Sequence, residues 1–270
     1  MNLKSRWWVW VVLATLTLAC RLTSVAVQEP TASPPTPASP PPTATPVPPT
    51  EVPTSTPVPG QVISQASGAC RHPYYPVRSD TTWRYQTRVG EDSPTPYAVT
   101  YDDIGADAFT SRQTFPGSTA ESTWLCSDAG LIPGELASFL PVQIPNFEFR
   151  TLGHSGALLP PPGEWAAGAT WQTGYRLQVT TRVLGIPISS GADLSVENQI
   201  VGVEELVLPA GSYPQAVRID STGAARADAT GSETQVGFSF SHWYVEGVGL
   251  VKISADVQGT AFDMELVSIE

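Results

Sequence analysis

The stretch Trp171–Val183, WQTGYRLQVTTRV, decides the fold class of this chain. Over thirteen positions, mostly apolar residues alternate with residues that are polar or small. Successive side chains of a β-strand point to opposite faces, so this pattern predicts a long strand with one face in the core and one in water. The predicted core face carries Trp171, Thr173, Tyr175, Leu177, Val179, Thr181 and Val183.

Three further stretches repeat this alternation, namely TWRYQTRV at 82–89, VGFSFSHWY at 236–244 and AFDMELV at 261–267. Turn sequences follow the strand pattern: Pro209 and Gly211 suit a type I turn, and Gly247 and Gly249 suit a bend between two strands. Helical periodicity is nearly absent. The sequence therefore predicts an all-β fold, a single antiparallel domain of about ten strands that forms a curved sheet, half-barrel or barrel.

The chain is acidic, with 25 Asp and Glu residues against 14 Lys and Arg and a formal net charge of −11 over 270 residues. Nucleic-acid binding requires a basic patch that contacts phosphates, so this composition argues against a nucleic-acid partner. Neutral or cationic partners are expected instead.

A targeting segment occupies residues 1–19. Lys4 and Arg6 precede an uncharged, mostly apolar run from Trp7 to Ala19. Thirteen helical residues reach only about 20 Å, short of the roughly 30 Å hydrocarbon core of a bilayer. The run ends in TLAC, which resembles the bacterial lipobox, in which the cysteine is lipidated and becomes the new N-terminus. We therefore expect Cys20 to carry a membrane anchor, the alternative being an ordinary cleaved signal with a chance cysteine.

Residues 20–60 are predicted to form a lipidated N-terminus and a disordered stalk. From Glu29 to Gly60 the chain consists mainly of Pro, Thr, Ser, Ala and Val and contains no aromatic residue. Such a segment buries too little apolar surface to offset its ordering entropy, and its prolines favour an extended polyproline II conformation. A PxxP ligand for an SH3-like partner is the alternative interpretation.

The domain at 61–270 contains the remaining two cysteines, Cys70 and Cys126. With Cys20 lipidated, these two form a pair in an oxidising compartment, which favours a disulfide. Two buried free thiols are the alternative. A bridge would connect the segment before the first strand to the strand that ends in STWLC.

Three segments carry a family resemblance: HPYYPVRSDTTWRYQ at 72–86, ELVLPAGSYPQAVRI at 205–219 and HWYVEGVGLVKI at 242–253. Their order resembles an uncharacterised family of exported β-rich bacterial lipoproteins with Pro/Thr-rich stalks, which carry W-x-Y, P-A-G and W-x-x-x-G-V-G-L-V motifs. The resemblance implies the fold but no activity. More remotely, a curved sheet on a lipidated tether is similar to periplasmic lipoprotein carriers of acyl chains, although the helices that plug those carriers are lacking.

No motif predicts catalytic residues, a metal site or a cofactor. GHSG at 153–156 lacks one residue of the G-x-S-x-G nucleophile elbow, so Ser155 is interpreted as part of a polar loop. The histidines, His72, His154 and His242, show no spacing typical of zinc ligands.

Two aromatic residues are predicted to face a ligand. Trp165 follows PPPGE in a loop, and Trp243 has the opposite strand parity to Phe240 and Tyr244, so both are expected at the surface. The sequence thus predicts an extracytoplasmic, non-enzymatic β-domain that is anchored to the bacterial membrane through Cys20. Its expected partners are an envelope protein, a glycan or a hydrophobic ligand. A carrier of a hydrophobic or lipid ligand in a half-barrel cavity is the first alternative, and a hydrolase with an undetected site is the second.

Overall fold

A computed structural model describes residues 59–136, 147–183, 186–229, 232–257 and 260–270. The predicted signal peptide, Cys20 and nearly all of the predicted stalk lie outside these residues. Within them, no helix has the length and hydrophobicity needed to span a bilayer.

In the described residues, twelve antiparallel strands form one sheet, as the alternating pattern predicted, against an expectation of about ten. The described residues also contain two single 3₁₀ turns, at Gly68–Cys70 and Pro162–Glu164. The strands are β1 Trp83–Val89, β2 Thr95–Asp102, β3 Ala108–Phe115, β4 Ser118–Ser127, β5 Gly130–Pro133, β6 Phe147–Gly156, β7 Thr170–Val183, β8 Ile186–Leu208, β9 Gly211–Ala229, β10 Ser232–Val245, β11 Gly249–Val257 and β12 Thr260–Ile269.

The strand order is β5-β4-β3-β2-β1-β12-β11-β10-β9-β8-β7-β6. Sequence neighbours therefore pair throughout, except that β5 and β6 lie at the two edges and the first strand pairs with the last. Trp83 lies opposite Ile269 and Val89 opposite Phe262 in this central pair. The backbones of Thr82 and Glu270 exchange two hydrogen bonds of 2.8 and 3.0 Å at its end.

The sheet curls into a nearly closed barrel because its two edges meet. The Leu131 N–H of β5 donates to Leu159 O at 2.9 Å, just after β6, and the Leu158 N–H donates back to Leu131 O at 2.8 Å. Gly130 makes this approach possible, since a Cβ atom at this position would lie 2.1 Å from Leu159 O. Tyr175 on β7 also donates its hydroxyl to Pro133 O at 3.2 Å.

An aromatic core fills the barrel between β1–β4 and the facing strands. Its rings pack edge to face or stacked, as between Trp83 and Tyr101 at 5.0 Å and between Phe109 and Trp124 at 5.6 Å. Trp83 donates its indole N–H to Val248 O at 2.9 Å, so its polar atom is satisfied inside the core. The members of the aromatic core are Tyr75, Trp83, Tyr85, Tyr97, Tyr101, Phe109, Trp124 and Tyr244.

The disulfide predicted between Cys70 and Cys126 is present, with 5.0 Å between the two Cα atoms. It joins the segment before β1 to β4 across 56 residues of sequence. Next to it, the His72 ring is buried at one end of the barrel, where Nε2 lies 3.0 Å from Pro160 O and Nδ1 accepts the Tyr74 N–H at 3.2 Å. This segment therefore closes that end of the barrel by polar as well as covalent contacts.

Candidate functional site

The interior of the barrel leaves little room for a ligand in its aromatic core. A cavity of about 30 Å³ remains there, bordered by Tyr85, Tyr97, Tyr101 and Met264. A cavity of this size holds about one water molecule, whereas pockets for small ligands are roughly 300–1,000 Å³. The aromatic core is therefore a packed structural core.

A chain of buried hydrogen bonds crosses strands β10, β9, β8 and β7 on the inner face. His242 Nε2 lies 2.8 Å from Ser221 Oγ, and Ser221 donates its hydroxyl proton to Asn198 Oδ1 at 2.7 Å. Asn198 Nδ2 then donates to Thr173 Oγ1 at 3.1 Å, and Thr173 donates to Ala157 O. We call this arrangement the hydrogen-bond chain.

The direction of these bonds fixes the histidine tautomer. Because the Ser221 proton goes to Asn198, Ser221 Oγ must accept the proton of His242 Nε2. His242 Nδ1 is then the acceptor for the Tyr244 hydroxyl, 3.5 Å away. Burial lowers the pKa of His242 to about 4, against a smaller opposite effect of Asp220, so the ring is neutral at physiological pH.

This serine–histidine pair has the wrong arrangement for nucleophilic catalysis. A nucleophilic serine gives its proton to the histidine, whereas Ser221 accepts one from it. Both residues are also at most 3% exposed, which keeps substrate away from them. His154 and Ser155 are exposed on β6, so the interpretation of Ser155 as part of a polar loop is wrong: the residue lies in a strand. The described residues contain no group of three or more His, Cys, Asp or Glu side chains placed to hold a metal.

The hydrogen-bond chain makes one specific prediction for stability. Replacing Ser221 by Ala leaves the His242 Nε2–H and Asn198 Oδ1 buried without partners, which we expect to cost about 2–3 kcal/mol in the free energy of unfolding. Chemical denaturation of the full chain measures this. Ser239→Ala on β10 is the control, because Ser239 is exposed and its loss should change stability by no more than about 0.5 kcal/mol. Equal effects of the two substitutions would contradict the proposed energetic role.

Trp243 lies on the outer face of β10, as its parity predicted, but the prediction that it is exposed is wrong. Its side chain is only 7% exposed, because Arg218 and Lys252 cover the ring from 5.5 and 5.6 Å. Its indole N–H donates to Glu204. Trp243 thus offers no open ring face to a ligand.

Trp165 is half-buried, where the sequence predicted a surface position. Its ring stacks on Tyr74 with 4.1 Å between the ring centroids and packs edge to face against Tyr244 at 5.7 Å. Its indole N–H donates a hydrogen bond to Pro160 O at 3.0 Å. These contacts make Trp165 part of the structure that closes the end of the barrel. The loop sequence gave no indication of them, because Tyr74 and Tyr244 are distant along the chain.

A cleft of about 870 Å³ opens on the outer face of β7–β12, and we call it the outer cleft. Most of its lining residues are polar, and most of these point their side chains away from the core at alternate positions of each strand. Arg218 and Asp220 form its centre, paired at 2.8 Å, and Ser241 donates to Asp220 at 2.7 Å. Glu197 and Asp256 lie further out, on β8 and β11.

The central pair has a fixed charge state near neutrality. Burial raises the pKa of Asp220, but the hydrogen bonds from Arg218 and Ser241 outweigh this effect and the pKa is lowered overall.

The sequence pattern predicted that Gln172 lies on the solvent-facing side of β7, but it did not predict the outer cleft. Alternation identifies which side chains face outward, whereas the concave shape of the outer face depends on how six paired strands coil.

Comparison with solved structures finds three bacterial proteins with similarity to this chain. A protein from Parabacteroides distasonis, provisionally described as a lipoprotein, matches with 12% identity and a TM-score of 0.52 over 73% of this chain and 98% of the other. A protein from Bacteroides fragilis, provisionally described as exported and as having a YmcC-like fold, matches with 13% identity and a TM-score of 0.49 over 73% and 98%. The hypothetical lipoprotein YmcC from Escherichia coli matches with 12% identity and a TM-score of 0.34 over 74% and 92%.

At these identities the likeness concerns the fold alone. It rests on the P. distasonis protein, whose TM-score is the highest of the three. No protein-family model matches the chain, and no curated protein matches it.

Proposed function

We propose that this chain is a membrane-anchored bacterial lipoprotein that presents a non-enzymatic binding domain outside the cytoplasmic membrane, with the outer cleft as its ligand site. The observation that carries the proposal is the contrast between the two faces of the sheet. The cavity in the aromatic core measures about 30 Å³, whereas the outer cleft measures about 870 Å³. Binding on the outer face follows from this contrast.

Three further observations support export and anchoring. The segment ending in TLAC resembles a lipobox, and a Pro- and Thr-rich stretch separates Cys20 from the domain. The Cys70–Cys126 disulfide is typical of proteins in oxidising compartments. The Parabacteroides distasonis protein, which has a similar fold, is provisionally described as a lipoprotein.

A carrier of a hydrophobic ligand is the second candidate, favoured by the far ends of the long strands. There the inner face continues beyond the aromatic core with Val179, Leu194, Val236, Phe238 and Phe240, which are partly exposed. Val236 is 38% exposed. A carrier would bind its ligand on this inner surface, since the aromatic core itself is filled. The hydrolase alternative lacks such support, because Ser221 and His242 are buried and wrongly oriented.

Lipidation provides the test of anchoring. Cells that express the full chain and are fed an alkyne analogue of palmitate should yield labelled protein in the membrane fraction, and protease added to spheroplasts should digest it. Cys20→Ser should abolish the label and shift the protein out of the membrane fraction, because the acyl chains provide the anchor. Ser24→Ala, four residues after Cys20, is the matched control and should retain the label. Unlabelled wild-type protein, or labelled Cys20→Ser, would contradict the proposal.

A further inference from the structure

We infer that the outer cleft binds a neutral, linear glycan that lies across strands β7–β11, that is, an uncharged chain of sugars with hydroxyl groups at regular intervals. This inference rests on the proposed function, since it assigns a ligand class to the same site. It follows from a contrast within the lining, where the charged side chains have partners and a set of neutral polar side chains does not.

The charged side chains of the cleft are already engaged with the protein itself. Arg218 and Asp220 pair at 2.8 Å. Glu197 accepts a hydrogen bond from the Gln172 amide at 3.3 Å, and Asp256 also has an interaction partner. These four are the charged residues of the described lining, so a charged ligand would have to compete with an existing contact. The cleft therefore favours a ligand without charge.

Five neutral polar side chains of the lining make no hydrogen bond within the part of the chain that the structure describes. They are Thr170, Gln199, Thr222, Ser239 and Ser254. Hydroxyl and amide groups can both donate and accept hydrogen bonds. Sugar hydroxyl groups also do both, so they complement every member of this set whichever way each side chain is oriented.

The spacing of these five side chains favours an elongated ligand. There is one on each of the five neighbouring strands β7–β11, with Thr170 opposite Gln199, Thr222 opposite Ser239, and Ser254 on β11. Neighbouring strands lie about 4.8 Å apart, so the set spans about 19 Å across the sheet in regular steps. A linear glycan presents hydroxyl groups on each of its sugars, at a repeat comparable to the distance between strands.

The cleft recognises its ligand through hydrogen bonds rather than through ring stacking. Its two aromatic lining residues, Trp171 and Phe240, occupy inward-facing positions opposite Asn198 and Ser221. Trp243, on the outer face nearby, is covered by its cationic neighbours. A single neutral hydrogen bond contributes little net free energy, so we expect the affinity to come from contacts repeated along the glycan.

Calorimetry of the full chain in detergent with two uncharged pentasaccharides, cellopentaose and penta-N-acetylchitopentaose, tests the inference. We expect at least one of them to bind, and its disaccharide to bind at least tenfold more weakly because it reaches fewer of the five strands. Thr222→Ala/Ser239→Ala removes the two hydroxyl groups at the centre of the set. This double substitution should weaken binding of the pentasaccharide about tenfold.

The control variant Thr114→Ala/Thr119→Ala removes an exposed pair of hydroxyl groups that also lie opposite each other, but on β3 and β4, and should change the affinity less than twofold. Equal weakening by both variants would show that the glycan binds outside the outer cleft. Failure of both pentasaccharides to bind, or equally tight binding of the disaccharide, would overturn the ligand class. Tenfold tighter binding of the cationic glucosamine pentamer would show that the cleft reads charge, which also overturns it. Each of these results leaves the lipidation test of the proposed function intact.

Discussion

Lowering the pH from about 7 to 4 is expected to reduce the free energy of unfolding by about 6 kcal/mol through two buried histidines, His72 and His242. Burial lowers the pKa of each to about 4, from an ordinary value of 6.5. As the pH falls below about 6.5, the unfolded chain takes up protons that the folded chain does not, so unfolding is favoured. Each histidine then contributes about 1.4 kcal/mol per pH unit until about pH 4, where the folded state also becomes protonated.

The hydrogen bonds of both rings explain why the folded state resists protonation. His72 Nδ1 accepts the Tyr74 N–H, and His242 Nδ1 is the acceptor for the Tyr244 hydroxyl. A second proton on either ring would point at a hydrogen-bond donor, and the burial of the ring adds the larger penalty. The carbonyl of Pro160 reduces this penalty for His72 only in part.

Denaturation curves of the full chain at pH 7, 5.5 and 4 measure this effect. His72→Gln and His242→Gln should each lower stability at pH 7 and remove about half of the pH dependence between pH 6.5 and 4. His154→Gln is the control, because His154 is exposed on β6 and should leave the slope unchanged. If the free energy of unfolding depended on pH as strongly in His72→Gln and in His242→Gln as in the wild type, the acid sensitivity would come from other groups.

Removing the Cys70–Cys126 disulfide is expected to cost about 4 kcal/mol. The bridge closes a loop of 56 residues, and in the loop-entropy model such a constraint on the unfolded chain contributes about that amount. The bridge also holds the segment that carries His72 against β4, so its loss should loosen the same end of the barrel. A typical domain has only about 5–15 kcal/mol of stability, which makes this a large fraction.

The measurement compares the full chain with Cys70→Ala/Cys126→Ala by chemical denaturation under oxidising conditions. Both sulfur positions are buried, at 0% and 8% exposure, so Ala avoids placing a new polar group in the core. Cys20→Ser should match the wild type, because Cys20 is not one of the bridged cysteines. A loss below about 1 kcal/mol would show that the unfolded chain is already constrained in this loop.

Local patterns predicted the strands well, because each strand has one face in the core. In β7, Thr173, Tyr175 and Leu177 are buried while Gln172 and Arg176 are exposed, in line with the alternation. The turns at Pro209–Gly211 and Gly247–Gly249 also fall between strands as predicted. The pairing of β1 with β12 and the contact between β5 and Leu159 were not predictable in this way, since alternation identifies a face but not a partner.

The candidate site was less predictable than the fold. Parity placed Trp243 correctly on the outer face, but its exposure depends on Arg218 and Lys252, which reach it from neighbouring strands. The hydrogen-bond chain likewise joins side chains from four strands, each of which alone looks like an ordinary polar residue. Such sites arise from register between strands, and a single sequence does not contain that register explicitly.

The position of the β1–β12 pair at the middle of the sheet has a consequence for how the protein is made. The meander β1–β5 precedes the rest of the sheet in the chain, and β1 remains an unpaired edge until β12 arrives. Gln86 meets Glu265 across this pair, 179 residues later in the sequence. An unpaired edge is a template for aggregation, so the nascent chain is most vulnerable before its last strand is synthesised. The final ten-residue strand therefore protects an edge that is made first and left open longest.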